Sequence, residues 1–281
     1  MTTVGPARRR LGGSVALVSG AASGLGRALA LHAVEQGARV LALDVDRPGL
    51  EALQARAGAL APGGEALATR VCDVSDRSAC EAAVAHAVDR FGALDWLFAN
   101  AGISHHSALV HTSAQVIRRV VEVNFFGAVH LAQAALPHLL ARRGAIVVTS
   151  SVAGFSPLLA RTGYAASKHA LHGFFDSLRP EVRAAGVDVT LACPSFVDTA
   201  IDRHALDGQG RVGRPAARVV VGRALAPDEV ARRICKAALR RRPLVRVGRT
   251  AHLAWWLSRL APPLYEALMA RRMRAELDAG G

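Results

Sequence analysis

Cysteine is scarce in this chain of 281 residues: only Cys72, Cys80, Cys193 and Cys235 occur. None forms a CxxC pair or stands at ligand spacing from a histidine. That excludes a disulfide framework and predicts reduced thiols in a cytoplasmic protein. Lysine is scarcer still, with Lys168 and Lys236 alone among arginines. Long apolar runs are also missing. No uncharged apolar stretch reaches the roughly 18 residues that cross a bilayer, and the arginines at 8–10 lead into alternating structure rather than a cleavable apolar segment. We therefore expect neither a spanning helix nor a signal peptide. Hydrophobic residues make up 51% and charged residues 20%, which excludes wholesale disorder and predicts a sizeable core.

Acidic residues are outnumbered 35 to 22, a formal net charge of +13. Their placement matters more than the total. Residues 1–13 carry three arginines and no acid, and residues 226–281 carry twelve basic and five acidic residues. The 212 residues between hold 20 basic and 17 acidic ones. A body so nearly balanced is not expected to bind nucleic acid.

Short apolar strands alternate with helices along the chain. Strands are predicted at 14–19, 38–44, 65–71, 95–99, 145–150, 187–193 and 244–247. Helices are predicted at 25–36, 48–56, 77–91, 113–141 (interrupted near Pro137), 164–185 and 227–240. Strands apolar at every position are parallel and buried on both faces. The expected fold is α/β: one doubly wound parallel sheet of about seven strands, with helices on both faces and right-handed crossovers. No internal domain boundary is visible, so residues 1–281 read as one Rossmann-like domain. A Gly- and Arg-rich segment around 200–225 is expected to be a substrate-loop insert, and 250–275 a helical extension.

Ser19-Gly20-Ala21-Ala22-Ser23-Gly24-Leu25-Gly26 follows the first strand and opens the first helix. Glycines there let the backbone approach a pyrophosphate, which then faces the helix N-terminus. Asp44 ends the second strand, where a carboxylate accepts the adenosine ribose hydroxyls and repels a 2′-phosphate. NAD is accordingly favoured over NADP. The competing reading of Asp44 is a turn or cap, a role Asp46 can fill instead. Arg27 and Arg47 are the candidates for attracting a 2′-phosphate. Asp73 and Val74 follow the third strand, where an adenine would lie, and Asn100-Ala101-Gly102 follows the fourth.

Tyr164 and Lys168 lie four residues apart, on one helix face. A nearby ammonium stabilises phenolate and makes tyrosine a usable general acid/base at neutral pH. Ser151 stands at the C-terminal end of the fifth strand, where parallel sheets gather their sites. Ser150, adjacent and chemically identical, competes for that role.

The glycine pattern, Asn100-Ala101-Gly102, Asn124, Ser151, Tyr164-x-x-x-Lys168 and Pro194-x-x-Val197-x-Thr199 occur in order from about Ser14 to Thr199. In this the chain resembles the short-chain dehydrogenase/reductase family. The resemblance implies a nicotinamide cofactor held by Gly20, Ser23, Gly24, Leu25, Gly26, Asp44, Asp73, Val74, Asn100, Ala101, Gly102, Tyr164, Lys168, Pro194, Val197 and Thr199. It also implies a catalytic tetrad in which Tyr164 exchanges the proton and Ser151 orients the carbonyl or alcohol. Lys168 would tune the tyrosine and hold the nicotinamide ribose, and Asn124 would hold a relay water. Thr199 and the backbone near Val197 would hold the carboxamide. Three positions depart from the family pattern: Ser19 for threonine, Ala99 for a first asparagine, and Ser195 for the glycine after Pro194.

The implied activity is hydride transfer between the cofactor and a secondary alcohol or ketone, in a homodimer or homotetramer. Two rivals are an NADPH-linked 3-oxoacyl-thioester or steroid-type reductase and a non-catalytic nucleotide-sensing or nucleic-acid-binding protein. No metal site is expected. His105, His106 and His111 lack a ligand partner and are read as pocket rim or solvated loop. At the C-terminus Leu253, Trp256, Leu257 and Leu260 recur at helical spacing, and Pro262-Pro263 starts a second helix with Leu264, Leu268 and Met269. These helices are expected to cover the substrate pocket or a subunit interface. The alternative is peripheral membrane contact through basic amphipathic helices, with Trp255 and Trp256 at the interface.

Overall fold

Valine, leucine and alanine fill runs such as Val15–Ser19 at every position, so neither face of such a strand tolerates water. The computed structural model describes residues 9–61, 66–199, 201–212 and 222–278. Its strands are β1 (Val15–Ser19), β2 (Arg39–Asp44), β3 (Leu67–Val71), β4 (Trp96–Ala99), β5 (Ala145–Thr149), β6 (Asp188–Pro194) and β7 (Leu244–Val247). They form one parallel sheet in the order β3-β2-β1-β4-β5-β6-β7. The winding reverses between β1 and β4, and the cleft opens there, beyond the strand C-termini.

The helices are α1 (Gly24–Glu35), α2 (Arg47–Leu60), α3 (Arg77–Phe91), α4 (Ala114–Val121), α5 (Gly127–Arg142), α6 (Thr162–Arg183), α7 (Pro227–Leu239), α8 (Arg249–Leu260) and α9 (Pro262–Asp278). Helices α1, α2 and α7 bury Leu29, Leu53 and Ile234 against one face of the sheet. Helices α3, α5 and α6 bury Val84, Leu131 and Phe175 against the other. The predicted doubly wound sheet is therefore present.

Three local expectations need correction. The long helix predicted at 113–141 does not break near Pro137, which lies inside α5. Helix α5 tolerates the lost N–H because Leu131, Ala135 and Leu139 are fully buried. The interruption falls instead at Glu122–Phe126, a single π turn. There Asn124 spends its amide on Ile103, accepting from its N–H (2.7 Å) and donating to its carbonyl (2.9 Å). Helix α2 runs to Leu60 rather than stopping at 56, started by Asp46 accepting from the Gly49 N–H. The third strand was expected from residue 65, which lies outside the described residues, as do residue 200 and residues 213–221 of the insert.

Candidate active site

Gly20 has φ +66°, and a Cβ on Gly26 would meet the Gly20 carbonyl oxygen at 1.9 Å. Only glycine closes this turn, which seats the start of α1 beside the loop after β4. Ser23 precedes α1 with its side chain uncommitted to any capping bond. Ser19, in place of threonine, keeps the hydroxyl's role: its Oγ accepts from the N–H groups of Asn100 (3.0 Å) and Ala101 (3.1 Å). Asn100 Nδ2 in turn donates to the Ser19 carbonyl (3.0 Å), and its Oδ1 accepts from the Thr149 hydroxyl (3.0 Å). One asparagine thus ties together the C-terminal ends of β1, β4 and β5.

Asp44 is not the cap of α2; Asp46 is. The Asp44 carboxylate accepts from the N–H groups of Ala22 (2.9 Å) and Asp46 (3.1 Å), which fixes its plane at the cavity wall. Neither Arg27 nor Arg47 lines that wall. Asp73 accepts from the N–H (2.9 Å) and hydroxyl (2.7 Å) of Ser75 and pairs with Arg119 at 3.0 Å. Burial raises the Asp73 pKa, but these bonds outweigh it and hold the carboxyl below its usual range. Arg119, unmarked by any motif, also lines the cavity.

At the chemical end, Lys168 is 3% exposed and donates from Nζ to the Thr149 carbonyl at 2.9 Å. Its Nζ lies 5.7 Å from the centre of the Tyr164 ring. Burial pulls its pKa down to about 8, with Cys193 opposing. A Cβ on Gly102 would stand 3.1 Å from Asn124 Oδ1 and 3.4 Å from Lys168 Nζ, so glycine keeps the gap between them open. Asn124 is 1% exposed, and its Nδ2 also donates to the Ser167 hydroxyl (2.9 Å). The asparagine therefore braces α6 as well as facing the lysine.

The two adjacent serines separate cleanly. Ser150 is buried, with its hydroxyl turned to the Lys168 carbonyl (3.4 Å). Ser151 is only half-buried and accepts from the Ala153 N–H at 3.2 Å. Both reach the cavity wall, but Ser151 keeps its proton free. Ser195 Oγ sits where a side chain on Gly248 would stand; its bulk is thus accommodated by a glycine before α8.

His105 differs from both expected readings, whereas His111 fits the solvated one. His105 is fully buried, and its Nε2 accepts the Gly163 N–H at 3.0 Å, at the start of α6. Burial, with His106 and Arg161 nearby, pushes its pKa down to about 4. His106 takes a hydrogen bond from Arg161 Nε at 2.7 Å, and His111 is exposed. None of the three lines the cavity. Among the described residues, no group of three or more His, Cys, Asp or Glu comes together to hold a metal.

A single cavity of about 670 Å3 takes in Asp44, Asp73, Arg119, Ser151, Tyr164 and Lys168, whereas Asn124, expected in the catalytic set, does not line it. It runs from Gly20–Gly26 and Asp44, past Asn100–Gly102, to Ser151, Tyr164 and Lys168, with Pro194, Val197 and Thr199 on its far wall. Beyond them the wall becomes Leu158, Phe196, Leu257, Met269 and Met273, with Arg272 beside them. Helices α8 and α9 thus line this end of the cavity. Trp255 turns inward rather than outward, packing edge-on against Phe155 at 4.9 Å with Arg259 on its ring at 3.4 Å. Sequence reasoning missed Arg119 and Arg161, because nothing at short range marks them.

Residues 14–210 match the family described as short chain dehydrogenase. A curated relative, dehydrogenase/reductase SDR family member 7B of Bos taurus, is 38% identical over 269 residues, 94% of this chain and 82% of that protein. Among solved structures, a short chain dehydrogenase/reductase from Burkholderia phymatum in complex with NAD superposes with TM-score 0.79 at 28% identity. That match covers 91% of this chain and 96% of the other. Levodione reductase follows at TM-score 0.78 and 28% identity, covering 86% and 99%.

Proposed function

The chain belongs to the short-chain dehydrogenase/reductase family and is an oxidoreductase of CH–OH and C=O groups; from that premise we propose an NAD-preferring dehydrogenase or carbonyl reductase for apolar secondary alcohols and ketones. The observation that carries the cofactor preference is Asp44. Its carboxylate is held in the cavity wall by two backbone N–H groups, with no arginine of Arg27 or Arg47 beside it. A fixed anion at the end of β2 accepts ribose hydroxyls and repels an added phosphate. The similar structure with NAD bound supports a nicotinamide dinucleotide; the preference between NAD and NADP rests on Asp44.

The residues present suit a nicotinamide dinucleotide. The N-terminus of α1 and the uncommitted Ser23 hydroxyl suit the pyrophosphate, and the Gly102 gap suits a ribose beside Lys168. When bound, the cofactor supplies the hydride acceptor or donor that side chains lack. The chain's own residues handle the proton and the positioning. Tyr164 gives a proton to the substrate oxygen in reduction and takes it back in oxidation. Lys168 remains mostly cationic at neutral pH and stabilises the phenolate form. Ser151 donates its hydroxyl to the same oxygen, and Asn124 holds the π turn, Ile103 and α6 in register with the lysine.

The leucine and methionine wall favours an apolar substrate body, and burial of such surface gives about 25 cal/mol per Å2. We read the assembly as a homo-oligomer, supported by Phe126 and Leu140 standing exposed along α5. The experiment is a panel of secondary alcohols and ketones offered with NAD(H) and with NADP(H), followed by nicotinamide absorbance. Faster turnover of apolar members with NAD is expected. Equal efficiency with both cofactors would overturn the preference, and no turnover of any member would overturn the reaction.

A further inference from the structure

Helix α8 turns larger apolar side chains outward, against the usual amphipathic rule. Helix α8 buries the small Ala251 and Ala254, whereas Leu253, Trp256 and Leu260 are 66, 56 and 77% exposed. The spacing places these three on one stripe. Helix α9 continues it with Leu264 and Leu268, 52 and 42% exposed. Five of the thirteen large apolar side chains exposed among the described residues thus fall within sixteen positions. Cations border the stripe. Arg249 and Arg233 share a shallow groove with Leu253 and Trp256, and Arg259, Arg271, Arg272 and Arg274 are exposed. Across residues 249–274 the only acid is Glu266.

We propose that this face docks on an anionic lipid bilayer, with Trp256 and the leucines at the headgroup–acyl boundary and the arginines on lipid phosphates. Charge decides between a bilayer and a second copy. A two-fold contact through this face would set the same arginines against one another, and like charges brought together oppose association. An anionic surface instead supplies the opposite charge at every arginine and accommodates an interfacial tryptophan. No helix among the described residues is long and apolar enough to cross a membrane, so the contact is peripheral.

The cavity opens at this face. Leu253 and Leu268 belong both to the exposed stripe and to the cavity wall, with Arg272 beside them. On the oxidoreductase reading above, an apolar alcohol or ketone dissolved in the bilayer would reach Tyr164 without crossing water. Docking itself does not depend on that reading.

The test is co-sedimentation of the full chain with vesicles of phosphatidylcholine alone or mixed with phosphatidylglycerol, at low and high salt. The wild type is expected to pellet with the anionic vesicles at low salt and roughly tenfold less at high salt, where the charges are screened. A triple variant, Trp256→Ser, Leu260→Ser and Leu264→Ser, alters exposed residues outside the cavity wall. It is expected to fold, to turn over soluble substrate normally and to lose pelleting. Arg249→Gln with Arg271→Gln, which neutralises two of the six arginines, is expected to weaken the salt dependence by roughly a third. Three results would overturn the proposal: wild type left in the supernatant at low salt, a triple variant that pellets equally well, or a wild-type dimer that the triple variant splits into monomers. Pelleting needs no turnover, so docking and the proposed reaction fail separately.

Discussion

At the cofactor end of the cavity the wall is largely backbone and glycine, held by short hydrogen bonds among Ser19, Asn100, Asp44 and Thr149. At the substrate end it is leucine, methionine and phenylalanine from three segments far apart in the chain. The first end is tied down because Ser19, Asn100 and Asp44 are each committed to backbone or to another strand, with the Ser23 hydroxyl left over. The second is held mainly by packing, with few side-chain bonds such as Ser156 to Ser258 (3.0 Å) and Tyr265 to the Pro157 carbonyl (3.1 Å), and its outer surface carries exposed leucines and a tryptophan. On the proposed function, one end would read a fixed ligand by hydrogen bonding and the other would accept a class of apolar shapes.

The largest expected effect tests whether the chemistry sits at the junction of the two ends. Tyr164→Phe removes the proton carrier and keeps the aromatic ring in place on α6. Turnover should fall by roughly 10²–10⁴, the range for general acid–base groups, while cofactor binding measured by fluorescence titration stays within about twofold. Strong loss of cofactor affinity would show that the two ends are not separable.

A cofactor-specific change should sharpen the contrast. Asp44→Ala removes a carboxylate placed against a ribose, and charged hydrogen bonds contribute about 1.5–3 kcal/mol. The ratio of kcat/KM for NAD over NADP should fall by roughly tenfold to a hundredfold, with substrate KM unchanged. An unaltered ratio would remove Asp44 as the selector.

The same contrast explains what could be read from the residues alone. Gly20, Gly26, Asp44, Ser151, Tyr164 and Lys168 carry short-range signals: a turn only glycine makes, a strand-end carboxylate, a four-residue helical spacing. The α/β alternation was equally plain, since β1, β4 and β5 are short, almost wholly apolar runs between helical stretches. The π turn was not, because Asn124 forms it through partners 21 and 43 residues away. Pro137 looked like the break and is instead carried inside a well-buried helix. His105 was misread for the same reason: its burial comes from packing under the start of α6. The helical spacing of Leu253, Trp256 and Leu260 was visible, but spacing cannot tell which side of a helix meets the protein.

His105 gives a stability prediction at the boundary between the ends. Its folded pKa, about 4, lies below the ordinary value of 6.5, so the unfolded chain takes up the proton first. Its contribution is complete above about pH 6.5 and is lost as pH falls through 4. One group shifted this far accounts for about 2–3 kcal/mol. Thermal melts between pH 7 and pH 4 should show that loss. His105→Gln, which keeps an acceptor for the Gly163 N–H, should flatten this part of the profile. An equally steep profile in the variant would assign the acid sensitivity elsewhere.

The smallest effect tests the apolar end. Leu257 is half-buried on α8 and lines the cavity away from the Gly20–Gly26 loop. Leu257→Ala removes side-chain carbons that an apolar substrate would cover, a loss of about 1 kcal/mol at 25 cal/mol per Å2. Substrate KM should rise roughly fivefold, more for bulky ketones than for small ones, while the KM for NAD stays unchanged. Leu257 and Asp44 share no hydrogen-bond partner and serve opposite ends, so their effects should add within about 0.5 kcal/mol. The double variant Asp44→Ala, Leu257→Ala measures this directly through kcat/KM for both cofactors. A larger departure from additivity would mean that closing of α8 over the substrate depends on the bound nucleotide, and the two ends would then act as one.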